Sequence, residues 1–322
     1  MSGFSRAFEI ARAHVNAGRL PTAVLGVATA EGVVALDAFG ATNGRPARTD
    51  DAHFLFSITK PLVGLTAARA VERGILSPLT SLGEAVPEFA DRPVQLRHLV
   101  SHTAGITEPP LDTRRGLRPE LRTAGSDFAP GTASRYSSIA FDGIAALLEA
   151  ADGRPWDAQL AEWADAVGAA GLTLDPACDP HHPVDATEAG MDMGALVRLR
   201  HPGAGLMGRA EDLLAIGAAL LRDDGAIVRP RTLAMMRRPL TGDIPRLEPF
   251  PAERGQDWGF TWNLRTRAPG LIDRDVYGHS GWAGTEFWVH PSAGVAWVLL
   301  TNQALRPGVD PDLLDNAIVS AA

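Results

Sequence analysis

Strand-like segments occupy both ends of this chain and helix-like segments its middle, an order that few folds accommodate. Residues 21–42 are mainly apolar and β-branched and break near Glu31-Gly32, the pattern of a hairpin. Residues 258–264, 276–279, 285–290 and 295–301 form further short β-branched or aromatic runs bounded by Gly, Pro and Asn. Between them, residues 62–73, 96–101, 139–151, 156–167 and 213–221 have helical propensity and spacing, with Gly or Pro at their ends. The two strand sets predict one antiparallel sheet built from both chain ends and flanked by helices, an α/β (α+β) fold. The expected division is residues 1–75 plus 231–322 for the sheet part and 76–230 for a mainly helical insertion. Phe4, Phe8, Ala11 and Val15 share one helical face, so an N-terminal helix should pack on that sheet. A last helix is expected over 313–320, after Pro311, and residues 175–205, rich in Pro, Gly and His, are expected as a pocket-lining loop.

Composition removes several classes of function. The chain has 322 residues, is 45% hydrophobic and carries a net charge of −8 without a basic run. Nucleic acid is therefore not an expected partner, since phosphate contacts need clustered positive charge. No segment approaches the roughly 18 apolar residues of a membrane span. Arg6, Glu9 and Arg12 interrupt any apolar core in the first fifteen residues, and Cys178 is the only cysteine, so a cytoplasmic location is expected. Cys178, His181, His182 and Asp185 are metal-ligand residue types, but the intervening prolines and the tendency of adjacent His side chains to diverge favour a solvated loop. Neither a metal nor a cofactor is expected.

The basic residues hold a sharper clue: 29 of the 30 are Arg, and the single Lys is Lys60. Unlike guanidinium, an ammonium can lose its proton when buried. Ser57 lies three residues before Lys60 at the start of a helix-forming stretch, which puts both on one helical face. A hydroxyl beside an amine becomes an activated nucleophile if burial lowers the amine pKa, and the helix N-terminus adds partial positive charge where an oxyanion would form. Alternatively Ser57 caps the helix and Lys60 is solvated. Tyr136, one of two tyrosines, precedes Ser137-Ser138 and another helix; it could act as a base if a nearby ammonium lowered its pKa, or Ser137 and Ser138 could simply cap. In Gly278-His279-Ser280-Gly281-Trp282, small residues at a strand would let a substrate approach the backbone, and a free main-chain N–H could donate to an oxyanion. A nucleophile elbow at Gly278-His279-Ser280 is excluded because position 282 is Trp, where that motif needs Gly.

Taken in order, Phe56-Ser57-Ile-Thr-Lys60-Pro, His98-Leu-Val-Ser-His102-Thr-Ala-Gly105, Tyr136-Ser-Ser138, Gly205 to Leu213, Gly278 to Gly281 and Val298 to Asn302 resemble the serine β-lactamase-like family, which includes class C β-lactamases, D,D-peptidases and family VIII esterases. The resemblance implies that Ser57 is the nucleophile, Lys60 its proton-transfer partner and Tyr136 a general base or acid, with Lys60 and the helix end holding the phenol partly ionised. It further implies an oxyanion hole from the N–H groups of Ser57 and Trp282, and substrate contacts at Ser138, His279, Ser280 and Gly281. Two departures stand out. Ser138 takes the place of the family's frequent Asn, and a hydroxyl cannot offer a paired carbonyl and amide. His279 stands where penicillin-active relatives commonly have Lys, and is largely neutral near pH 7. Both favour a small neutral ester or simple amide as substrate, and hence a carboxylesterase-like serine hydrolase. The alternatives are a β-lactamase or D,D-peptidase of the same family, and a non-catalytic binding or scaffold member.

Overall fold

The computed structural model describes residues 3–247, 256–267 and 272–322. Helix α1 (Ser5–Asn16) leads into the hairpin β1 (Thr22–Thr29) and β2 (Gly32–Thr42), followed by the short β3 (Arg45–Pro46) and β4 (His53–Phe54). A single 3-10 turn, Phe56–Ile58, then runs directly into α2 (Thr59–Glu72). The middle of the chain contains α3 (Leu96–Val100), α4 (Leu117–Thr123), α5 (Ala140–Asp152), α6 (Trp156–Ala166), α7 (Met193–Leu199), β5 (Met207–Gly208), α8 (Ala210–Arg222) and α9 (Pro230–Met236). The chain returns to strands with β6 (Asp257–Trp258), β7 (Asn263–Leu264), β8 (Tyr277–Ser280), β9 (Glu286–His290) and β10 (Val295–Leu300), then ends in α10 (Pro311–Val319).

One antiparallel sheet in the order β3-β2-β1-β10-β9-β8-β7-β6 joins the two chain ends. Its seam is β1 against β10, with Val24 opposite Leu300 and Gly26 opposite Val298. Side chains alternate across a strand, so each half of the seam feeds a different layer. Leu25, Val27, Trp297 and Leu299 meet Ala7 and Ala11 of α1 and Leu314 and Ile318 of α10. Val24, Ala28, Ala296, Val298 and Leu300 face the helical side, which includes Leu62 of α2, Ile144 of α5 and Leu214 of α8. Residues on both faces are buried, which is why β10 reads as an unbroken apolar run.

Three segments differ from the sequence expectation. The single strand expected over 258–264 is split into β6 and β7 by a tight reversal in which Gly259 N–H donates to the Trp262 carbonyl (2.9 Å) and Thr261 takes φ 66°. The loop expected over 175–205 contains α7, started by the Asp192 carboxylate accepting from Ala195 N–H (2.9 Å). Helix α8, assigned from sequence to the helical insertion, lies on β1, β2, β9 and β10. There Gly26 admits the Leu214 side chain, which a Cβ would displace. Among the described residues, no helix is long and apolar enough to cross a membrane.

Candidate active site

The turn that carries Ser57 is held from below. From Asp51 to Ala68 every residue is buried except Ser57. Phe56 adopts φ 46°, a left-handed conformation that costs a residue with a Cβ about 1–2 kcal/mol. Its fully buried ring, 5.2 Å from Trp282 and 6.0 Å from Phe54, holds that conformation in place. The kink leaves Ser57 as the one accessible group, in a first helical turn where N–H groups lack intrahelical acceptors.

Lys60, one turn later, is fully buried. Its Nζ lies 3.1 Å from Ser57 Oγ, 3.0 Å from Ser138 Oγ and 2.9 Å from the Gly203 carbonyl oxygen. All three neighbours are uncharged, so desolvation lowers the ammonium to about 7, opposed only by the carboxylate of Glu108. The Tyr136 ring stacks beneath Nζ (4.6 Å), and its hydroxyl is hydrogen-bonded to Ser57. Burial raises this phenol well above its ordinary value, and Glu108 pushes it the same way. That is opposite to the partial ionisation expected from the sequence. The physical reason is that the phenol is itself fully buried, so its anion loses hydration that the Ser57 hydrogen bond does not replace.

Ser138 reaches Lys60 from the residues before α5. His279 is buried on β8, with ring centroids 5.9 Å from Tyr136 and 5.6 Å from Trp258. Its Nδ1 donates to the Ser280 carbonyl (2.7 Å), leaving Nε2 as an acceptor without a partner among the described residues. Burial, with Lys60 adding to it, lowers His279 to about 3, so it offers no cation to a substrate carboxylate. Ser280 is half-buried at the end of β8. Gly281 serves the protein's own packing: a Cβ there would collide with the Leu55 carbonyl and with Thr285 Oγ1, which donates to that same carbonyl (3.2 Å). The space read from sequence as room for substrate is thus filled by the backbone leading to Ser57. In the adjoining turn the Trp282 N–H meets no acceptor among the described residues, while Gly281 and Gly284 N–H groups are satisfied.

Several residues to which the sequence reading assigned no role complete the site. The Gly203 carbonyl is presented by a loop in which Gly203 N–H donates to His201 Nδ1 (2.9 Å). His102 Nδ1 accepts from Ser137 N–H (3.0 Å), and its ring lies 4.7 Å from Tyr136. Glu108 accepts from Ser137 Oγ (2.7 Å) and from the N–H groups of Ser138 (2.8 Å) and Ile139 (3.1 Å). Among the described residues no three His, Cys, Asp or Glu side chains gather as a metal site. His181 instead hydrogen-bonds Asp51 (2.9 Å), and Asp185 accepts from the N–H groups of Ala304 and Leu305. Asp112, Ala186, Thr187 and the run from Gly190 to Met193 line an open depression of about 440 Å³.

The constellation is a buried amine, an accessible hydroxyl and a protonated phenol, next to a main-chain donor. Similar proteins share the frame. Esterase EstB of Burkholderia gladioli is 30% identical over 81% of this chain and 80% of its own length. The solved structure of EstCE1, a hydrolase with promiscuous acyltransferase activity, superposes with a TM-score of 0.80 at 24% identity over 98% of each chain. A penicillin-binding protein homologue from Caulobacter crescentus gives 0.82 at 21% identity over 100% of this chain and 98% of its own. The Beta-lactamase family model matches residues 8–321, so the chain belongs to that family.

Proposed function

We propose that this serine hydrolase cleaves small uncharged carboxylic esters through an acyl-enzyme on Ser57. The observation that carries the reading is the convergence of Ser57 Oγ, Ser138 Oγ and the Gly203 carbonyl on one buried amine whose pKa is lowered to about 7. A neutral Lys60 directs its two N–H bonds to the Gly203 carbonyl and Ser138 Oγ, which leaves its lone pair for the Ser57 proton. Ser57 Oγ then bonds to the ester carbonyl carbon while Lys60 takes that proton. The N–H groups of Ser57 and Trp282 hold the resulting oxyanion. As the carbon–oxygen bond of the alcohol breaks, the proton passes from Lys60 through the Tyr136 hydroxyl to the departing alkoxide. Water retraces these steps, giving its proton to Lys60 and releasing the acid and free Ser57.

A neutral ester is favoured because His279 brings no charge and Ser138 offers a hydroxyl where an amide would grip a peptide-like substrate. The name of the Burkholderia relative points to the same substrate class. The lone, half-buried Cys178 suits a reducing compartment, so the cytoplasm is the proposed location.

A fluorophosphonate probe should label wild type and leave Ser57→Ala unlabelled; an unlabelled wild type would indicate a non-catalytic binding protein. In parallel assays, a short-chain aryl ester should turn over faster than a chromogenic cephalosporin or a D-Ala-D-Ala peptide. The reverse order would move the protein to the β-lactamase or peptidase branch.

A further inference from the structure

Among the described residues Lys60 has no anion in direct contact: its three polar neighbours are two hydroxyls and a carbonyl. The nearest counter-charge is one step away. Glu108, half-buried in the loop after α3, places both carboxylate oxygens on the turn that carries Tyr136 and Ser138. It accepts from Ser137 Oγ, Ser138 N–H and Ile139 N–H, closing the start of α5 from outside that helix. Ser137 Oγ in turn accepts from Ala140 N–H (3.2 Å), so the turn and the helix start form one hydrogen-bonded unit. The Ser138 hydroxyl held by this unit is the one that meets Lys60.

We propose that Glu108 is a positioning residue, which aims Ser138 and Tyr136 at the Ser57–Lys60 pair and supplies the counter-charge for the protonated amine. The inference rests on the acyl-enzyme reading of the site. The other titratable groups around Lys60 are Tyr136, His102, His201 and His279. Burial keeps the phenol protonated and the three imidazoles uncharged, each having its pKa lowered. Among the described residues Glu108 is thus the one carboxylate acting on the amine. Burial leaves its own pKa raised on balance, while the donors Ser137, Ser138 and Ile139, together with Lys60, act in the opposite direction and favour the charge. Three donors on two oxygens suit the ionised form. The role also accounts for the serine at position 138, because charge balance and orientation come from a residue thirty positions upstream.

The test is the pH dependence of Ser57 labelling by a fluorophosphonate, in which the acid limb reports protonation of Lys60. Glu108→Gln retains an acceptor for Ser138 N–H but removes the charge. Its limb should fall by about one pH unit, because an amine without its counter-charge discharges sooner. Glu108→Asp keeps the charge with a shorter reach. Its limb should stay at the wild-type position while labelling slows roughly tenfold. Coincident limbs for wild type and Glu108→Gln, or an equal shift in Glu108→Asp, overturn the proposal. Should the amide variant fail to fold, Glu108→Asp decides alone, a displaced limb counting against the role. A wild type that is never labelled removes the acyl-enzyme reading, and the proposal with it, and is thereby distinct from a labelled wild type whose limb ignores Glu108.

Discussion

Lys60 is placed where its charge is costly. Burial lowers it from 10.5 to about 7, so between those pH values the unfolded chain holds a proton that the folded protein lacks. Stability linked to this group therefore rises with pH from 7 to 10.5, and the penalty is complete below 7. Lys60→Met should abolish turnover. Its stability relative to wild type should grow as pH falls from 10.5 to 7 and then level off, by on the order of a few kcal/mol, which urea denaturation at several pH values would measure. Turnover in wild type should rise through about pH 7 as the amine becomes a base. Tyr136→Phe keeps the ring beneath Nζ and removes the relay, so kcat should fall roughly 10²–10⁴-fold with little change in melting temperature. At this scale, what could be read from sequence depended on rarity and short spacing. A solitary Lys three residues after a Ser is visible in the row of letters, as is one of two tyrosines before a helix. Glu108, His102 and Gly203 were not singled out as polar partners, because each meets its partner only after distant loops converge.

At the scale of elements, the site depends on how closely β8 and the turn after it approach the chain entering α2. Gly281 lies against the Leu55 carbonyl, and that backbone cannot move without moving Phe56 and Ser57. Gly281→Ala should therefore part the Trp282 donor from the nucleophile and lower kcat/KM about 10²-fold, because displacements near 1 Å are that costly. The loss should appear at saturating ester as well, and circular dichroism should still report a folded protein. The helices named from periodicity appear within a few residues of their expected limits, since each buries an apolar stripe. The strand over 258–264 failed because Thr261 adopts a backbone conformation that its β-branched side chain disfavours, and residue type alone argued for extension. The start of α7 was missed although Asp192 is an ordinary cap, hidden among the Gly and Pro of its neighbourhood.

For the whole molecule, the pairing of β1 with β10 makes the two ends of the chain one structural unit. The two-ended sheet was legible from strand distribution alone, whereas the placement of α8 on it depended on packing that no local pattern encodes. We propose the division into residues 1–75 plus 231–322 and residues 76–230 as an outline, with α8 resting on the sheet. Asp315 of α10 fastens the outer layer: its Oδ1 accepts from Trp297 Nε1 and His290 Nε2, both at 2.7 Å. Asp315→Ala leaves two buried donors unpaired and should cost about 3 kcal/mol, read as a lower denaturation midpoint. Activity per folded molecule should hold, because α10 covers the sheet face opposite α2. The burial of Lys60 has a practical corollary. With every other basic side chain a guanidinium, succinimidyl esters and glutaraldehyde find no exposed lysine on this protein. Amine-directed immobilisation or dye coupling is left to the chain's α-amino group, and a small amine-reactive reagent that did enter past Ser57 would register as an inhibitor.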